Sequence, residues 1–95
     1  MPEMRFVVRW PDESVSDCYS PSLVVKEFLS VGESYPVIDF VARCRQALQI
    51  ASERVRQKYG FGCSSAAMQL AEIEEAATRF ASNAAATVKV LRFRE

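Results

Sequence analysis

The sequence predicts an α+β fold in which two main helices pack on a small three-stranded antiparallel sheet, formed by an N-terminal hairpin and a C-terminal strand. Three observations support this class. Residues 4–10 alternate with a period of two, and residues 37–59 carry an apolar stripe with a helical period. Residues 87–93 return to β-branched and aromatic side chains. At 95 residues, the chain is expected to form one domain, 1–95.

The N-terminal hairpin begins with a strand that has one apolar face, made of Met4, Phe6, Val8 and Trp10. Pro11 to Ser14 predict a turn, because proline presets φ and Asp12 can bond its own backbone. Val15 to Tyr19 can return as the second strand. Leu23 to Leu29 leave two alternatives, a short helix capped by Ser20 or Ser22 or an extended segment, and Gly32 ends either one.

The first main helix is the strongest predicted element. Ser34-Tyr35-Pro36 is expected to open it, with proline in the first turn and Ser34 or Tyr35 at the cap. Gly60 is expected to end it after about six turns. Its apolar stripe comprises Val37, Phe40, Val41, Cys44, Leu48, Ala51, Val55 and Tyr59.

The second main helix follows a short link, so the two helices are expected to pack antiparallel. Ser64 or Ser65 suits its N-cap. Its buried stripe is Ala66, Leu70, Ile73, Ala77 and Phe80. Thr87 to Phe93 predict the last strand, docked beside the first. A bulge near Val90 is a candidate feature, since the apolar residues change face there.

Composition argues against several functions. The sequence has no histidine, which removes Ser-His-Asp and Cys-His catalysis. Cys18, Cys44 and Cys63 lie far apart, so neither a disulfide framework nor a metal site is expected, and no cofactor is predicted. Twelve basic and twelve acidic residues cancel, which argues against nucleic-acid binding. With no signal peptide or membrane-length apolar run, the expected location is the cytoplasm.

Two polar stretches are candidate binding loops. In Gly60–Ser65, glycines and a helix N-terminus can hold an anion or activate Cys63, although capping and turning explain most of its residues. Cys18–Ser22 clusters hydroxyls, but serine caps around a proline turn are the simpler interpretation. Arginines beside the apolar stripe of the long helix can bind an anion, or they can pack the aliphatic part of their side chains along the edge of the core. The candidate ligand- or partner-binding residues are Cys18, Tyr19, Ser20, Ser22, Arg43, Arg54, Gly60, Gly62, Cys63, Ser64 and Ser65.

A family resemblance is carried by four groups of residues along nearly the whole chain. They are Arg9-Trp10-Pro11-Asp12, Cys18-Tyr19-Ser20-Pro21-Ser22, Ala42-Arg43 with Ala51-Ser52-x-Arg54-Val55, and Tyr59-Gly60-Phe61-Gly62-Cys63-Ser64-Ser65. Together they resemble the small bacterial nitrogen-starvation response proteins encoded beside a nitrilase in a recurring gene cluster. That family usually places glycine after Trp-Pro-Asp, where this chain has Glu13.

The resemblance implies a context of nitrile or cyanide nitrogen assimilation, and it carries over no catalytic residue. The leading hypothesis is a non-catalytic accessory protein that binds a small anionic metabolite or another protein of the nitrilase cluster. One alternative is a small cysteine-dependent enzyme that uses Cys63 as its nucleophile. Another is a homodimeric interaction module that associates through the sheet or the long helix.

Overall fold

The computed structural model describes residues 3–61 and 64–95. It confirms the α+β class. The strands are β1 (Met4–Arg9), β2 (Val15–Ser20), β3 (Ser34–Pro36) and β4 (Thr87–Arg94), and the α-helices are α1 (Val37–Tyr59) and α2 (Ser64–Thr78). A five-residue 3₁₀ helix, Leu23–Glu27, joins β2 to the segment before β3.

The sheet is antiparallel throughout, in the order β2-β1-β4-β3. The predicted hairpin is present, with Phe6 opposite Cys18. The predicted docking of the last strand beside the first is also confirmed. Alternation places Met4, Phe6, Val8 and Trp10 in the core, and each is at most 2% exposed.

The prediction of three strands was wrong, because Ser34–Pro36 forms a fourth strand instead of opening the long helix. Tyr35 lies opposite Val88 on β4. Pro36 suits this edge position, since it lacks a backbone N–H to donate to a further strand. The helix begins only at Val37, and its N-cap, Pro36, makes no side-chain capping bond.

A β-bulge interrupts the pairing of β4 with β1. Val8 pairs with Val90 and Val7 pairs with Arg92, so Leu91 is the extra residue. The insertion lets Val90 and Phe93 both lie on the core face, opposite Val8 and Phe6. The bulge predicted near Val90 is confirmed.

The helices cover one face of the sheet. Gly60 ends α1 with a left-handed φ of 87°, as predicted, and its N–H donates to the carbonyl of Arg56. An ion pair between Arg45, in the first half of α1, and Glu74, near the end of α2, fits the expected antiparallel packing. The predicted stripe of α1 is buried at most positions, but Tyr59 is 53% exposed.

An aromatic cluster fixes the helices on the sheet. The Trp10 ring meets Phe40 of α1 edge-on at 5.6 Å and stacks on Phe80 at 6.0 Å. Its indole N–H donates to the Ser16 hydroxyl at 2.8 Å, so the only polar atom of the ring is satisfied. The Trp10 side chain, one residue after β1, therefore contacts both α1 and the turn that follows α2.

Candidate functional site

Serine side chains organise the chain where β2 ends. The Ser20 hydroxyl, which is fully buried, donates to the carbonyl of Ser22 at 2.7 Å. The Ser22 hydroxyl accepts from the Val24 N–H at 3.3 Å and so caps the 3₁₀ helix. Of the two alternatives for Leu23–Leu29, the structure therefore shows the short helix, capped by Ser22. Both serines hold backbone geometry through these bonds.

Arg54 reaches this segment from α1. Its guanidinium donates to the Ser22 hydroxyl at 3.0 Å, although the residue itself is exposed. An arginine side chain has five N–H donors, so this bond leaves most of them available. Two residues that the sequence placed 32 positions apart are thus in direct contact, at the rim of the core.

Gln69 of α2 reaches the same segment from the other helix. Its side-chain oxygen accepts from the Tyr19 backbone N–H at 2.9 Å. This bond protects part of the free edge of β2, which would otherwise be open to pairing with another chain. The Tyr19 hydroxyl donates to Glu3 at 3.0 Å, and Arg5 lies 5.7 Å from the ring centre.

One residue of each α-helix therefore contacts the end of β2 or the segment that follows it. Arg54 stands five residues before the end of α1, and Gln69 stands five residues after the start of α2. At 1.5 Å per residue, each contact lies about 8 Å along its helix from the link. Ser22, Arg54, Tyr19 and Gln69 define what we call the β2-end surface.

Gln69 was absent from the sequence-predicted site. A signal for it was present: Gln69 lies three residues after Ala66 and four before Ile73, on the buried stripe of α2. A glutamine at such a position needs a polar partner. The sequence alone could not identify the partner as a backbone N–H fifty residues away.

Arg43 belongs to a different part of the molecule. It donates to Asp39 at 2.9 Å and to the Phe28 carbonyl at 2.8 Å, and it lies over the Tyr35 ring at 4.6 Å. The hydrogen bond to Asp39 raises the pKa of the Arg43 guanidinium. Eleven residues separate Arg43 from Arg54, about 16 Å along the helix. The structure does not bring the two arginines together.

The cysteines of the described residues are core side chains. Cys18 and Cys44 are free thiols, 0% and 1% exposed. Burial, with smaller contributions from Asp17 and Glu72, raises the pKa of Cys18 to about 12. Burial also raises the pKa of Cys44 well above its ordinary value. Neither thiol is a nucleophile near neutral pH, because the reactive form is the thiolate.

Part of the candidate loop Gly60–Ser65 lies outside the described residues. Gly62 and Cys63 belong to that part, so the hypothesis of a reactive Cys63 stays a prediction. On either side, Gly60 forms the helix cap, the Phe61 side chain is 70% exposed, and Ser64 and Ser65 open α2 as exposed residues. Among residues 3–61 and 64–95, no group of three or more His, Cys, Asp or Glu side chains has the geometry to hold a metal ion.

These features define a small α+β protein whose described thiols are buried and whose two helices each make a polar contact with the end of β2 or the segment after it. The chain belongs to the family of the nitrogen starvation-induced protein NitG, whose family model matches residues 5–93. Comparisons with curated proteins and with solved structures gave no match. Within the described residues, neither helix combines the length and apolar character that a membrane crossing requires.

Proposed function

We propose that this chain is a non-catalytic accessory protein of the response to nitrogen starvation, and that it binds a small anionic metabolite at the β2-end surface. Family membership supports the starvation context. The sequence resemblance adds the nitrilase gene cluster and nitrile nitrogen assimilation to this context. We therefore propose that the protein belongs to that cluster and works in the cytoplasm.

The observation that carries the proposal is that Arg54 lacks a carboxylate partner among the described residues. Three other arginines of α1 are neutralised by carboxylates: Arg43 by Asp39, Arg45 by Glu74 and Arg56 by Glu53. Arg54 makes no ion pair with any described residue, and a neutral hydroxyl orients it. A guanidinium with free N–H donors suits a carboxylate or phosphate.

The surroundings of Arg54 favour binding over chemistry. The Ser22 hydroxyl, to which Arg54 donates, also accepts from the Val24 N–H and so caps the 3₁₀ helix. The thiol of Cys18, on β2, is fully buried, and burial raises its pKa to about 12. Neither group is a proton acceptor near neutral pH, so the arrangement suits holding an anion without transforming it.

The test is ligand-induced thermal stabilisation of the purified chain. Inorganic phosphate, succinate and glutarate serve as probes, each titrated from micromolar to tens of millimolar. We expect at least one to raise the Tm by several degrees at saturation, since a ligand at about 100 times its Kd stabilises by about 2.7 kcal/mol. Arg54→Ala should abolish that rise, and Arg54→Lys should retain only part of it, because lysine lacks the planar fork.

Arg56→Ala is the matched control, since it removes an exposed arginine from the same helix two residues away. It should leave the ligand-induced rise intact. The readout is the change in Tm on adding ligand, so any loss of stability from the substitution itself cancels. If no probe stabilises the native chain, or if Arg54→Ala and Arg56→Ala respond alike, the β2-end surface is not the binding site.

A further inference from the structure

The face of the sheet turned away from the helices is open and strongly basic. Pairing and alternation place five cationic side chains on it: Arg5, Arg9, Lys89, Arg92 and Arg94. The strand positions of this face carry one carboxylate, Asp17, and a second carboxylate, Glu3, stands just before β1 and accepts from the outward Tyr19 hydroxyl. Although the whole sequence has no net charge, these positions together carry four net positive charges.

The charge on this face is only partly neutralised. Arg5 and Arg94 share the single Asp17, at 3.9 Å for Arg5. Because β4 and β2 flank β1 on opposite sides, Arg94 must reach across β1 to contact Asp17. Arg9, Lys89 and Arg92 make no ion pair with any residue in 3–61 or 64–95.

Like charges also stand directly opposite one another. Arg9 pairs with Lys89, and Arg5 pairs with Arg94. Same-sign neighbours across a strand pair destabilise a sheet, so these positions cost folding free energy. Asp17 offsets that repulsion at one end of the face, and at the other end Arg9 and Lys89 make no ion pair with a described residue.

From this arrangement we infer that the open sheet face is a docking surface for an acidic, extended segment of a partner protein. The cations span five residues of β1, from Arg5 to Arg9, and the four steps between them cover about 13 Å. An extended run of four to six residues covers that length. Bound carboxylates would neutralise the unpaired cations, which is the electrostatic complementarity of a specific interface.

A protein segment fits this face better than a nucleic acid does. Sheets that bind single strands stack bases on outward aromatic rings. The outward strand positions here include one aromatic, Tyr19, whose hydroxyl is bonded to Glu3 and whose ring lies beside Arg5. A second copy of the chain fits least, because a two-fold dimer through this face would oppose five cations to five cations.

The inference is tested with a fluorescently labelled hexaglutamate peptide, with binding followed by anisotropy at low and moderate salt. We expect saturable binding that weakens as salt rises. The double variant Arg9→Glu with Arg92→Glu should bind at least about fivefold more weakly. The control, Arg56→Glu with Lys58→Glu, makes the same charge change on α1 and should stay within about twofold of the native chain.

An amide chemical-shift titration locates the peptide independently of the variants. The largest shifts should lie in β1 and β4. If the reversed variant does not fold, Arg9→Gln with Arg92→Gln replaces it, with the same expected direction. The inference is overturned if hexaglutamate does not bind, if both double variants lose affinity equally, or if the shifts lie on the helices. Tighter binding of hexathymidylate than of the peptide would also overturn it, in favour of a nucleic acid.

Discussion

Glu13 occupies a backbone position that suits glycine. Its φ is 71°, the one left-handed value among the described non-glycine residues. The hairpin turn sets this angle, because the Trp10 N–H donates to the Ser14 carbonyl and the Glu13 N–H donates to the Trp10 carbonyl. Glu13 is also the position at which the sequence departs from the family's usual glycine, and the positive φ gives that departure a physical cost.

Replacing Glu13 with glycine is expected to stabilise the chain. The left-handed conformation destabilises a residue with a side chain by about 1–2 kcal/mol, and glycine avoids this cost. Glycine's greater entropy in the unfolded state opposes the gain by about 0.5–1 kcal/mol. Glu13→Gly should therefore raise the free energy of unfolding by about 0.5 kcal/mol, measured by urea denaturation. Glu13→Ala is the control, since it removes the charge and keeps the strain. Equal effects of both variants would show that charge, not backbone strain, decides.

Arg43 links three elements at the level of secondary structure. It extends from α1 to the carbonyl that follows the 3₁₀ helix, and it lies over Tyr35 of β3. The Tyr35 hydroxyl in turn accepts from the Ser30 N–H at 2.9 Å. Arg43 was predicted as a binding residue, and these contacts give it a structural role in holding the short strand β3 to the helix.

We expect Arg43→Ala to lower the free energy of unfolding more than Arg45→Ala does. The Arg43 substitution removes a hydrogen bond to a backbone carbonyl, an ion pair and a cation–π contact together. Arg45→Ala is the control, because it breaks an exposed ion pair with Glu74 that is worth less than about 1 kcal/mol. Chemical denaturation of both variants measures the difference. Similar losses would mean that Arg43 does not link the elements as described.

The same elements show how far the sequence determines the fold. Periodicity identified β1, α1 and α2, and the change of apolar face located the bulge near Val90. The strand β3 could not be found this way, because three residues carry too little pattern and its partner, β4, lies about fifty residues further along. Proline added to the error, since it suits both a helix start and a sheet edge.

The candidate site was predictable only in part, for a related reason. Ser22 and Arg54 were chosen as polar residues at a strand end and beside an apolar stripe, and they prove to be in contact. The net charge of the sequence does not predict the basic face, because acidic residues elsewhere in the chain cancel its charge in the total. Only strand order shows that Arg5 and Arg94, which lie at opposite ends of the sequence, are neighbours.

At the scale of the whole molecule, the net positive charge is concentrated on one face of the sheet. The two α-helices together carry five cations and five carboxylates, so the charge that balances this face lies in the segments outside the helices and strands. The total is therefore zero, and the sheet face can still attract anions. Asp17 has two opposing effects. It stabilises the fold through its ion pairs with Arg5 and Arg94, and it reduces the positive potential of the open face.

Asp17→Asn should therefore move stability and binding in opposite directions. Removing the carboxylate leaves Arg5 and Arg94 unpaired, so we expect the free energy of unfolding to fall by up to about 1 kcal/mol at low salt, and by less at 0.5 M NaCl. The same change adds one net positive charge to the face, so the affinity for hexaglutamate should rise about two- to fivefold.

Glu74→Gln is the matched control for Asp17→Asn. It also removes one carboxylate from an ion pair, with Arg45, but on the helical side of the molecule. It should lower stability slightly and leave peptide affinity within the error of the titration. If Asp17→Asn leaves peptide affinity unchanged, or if Glu74→Gln raises it equally, the affinity depends on overall charge and not on the open face of the sheet. Because stability and affinity are measured separately, a general loss of structure would lower both and is readily distinguished.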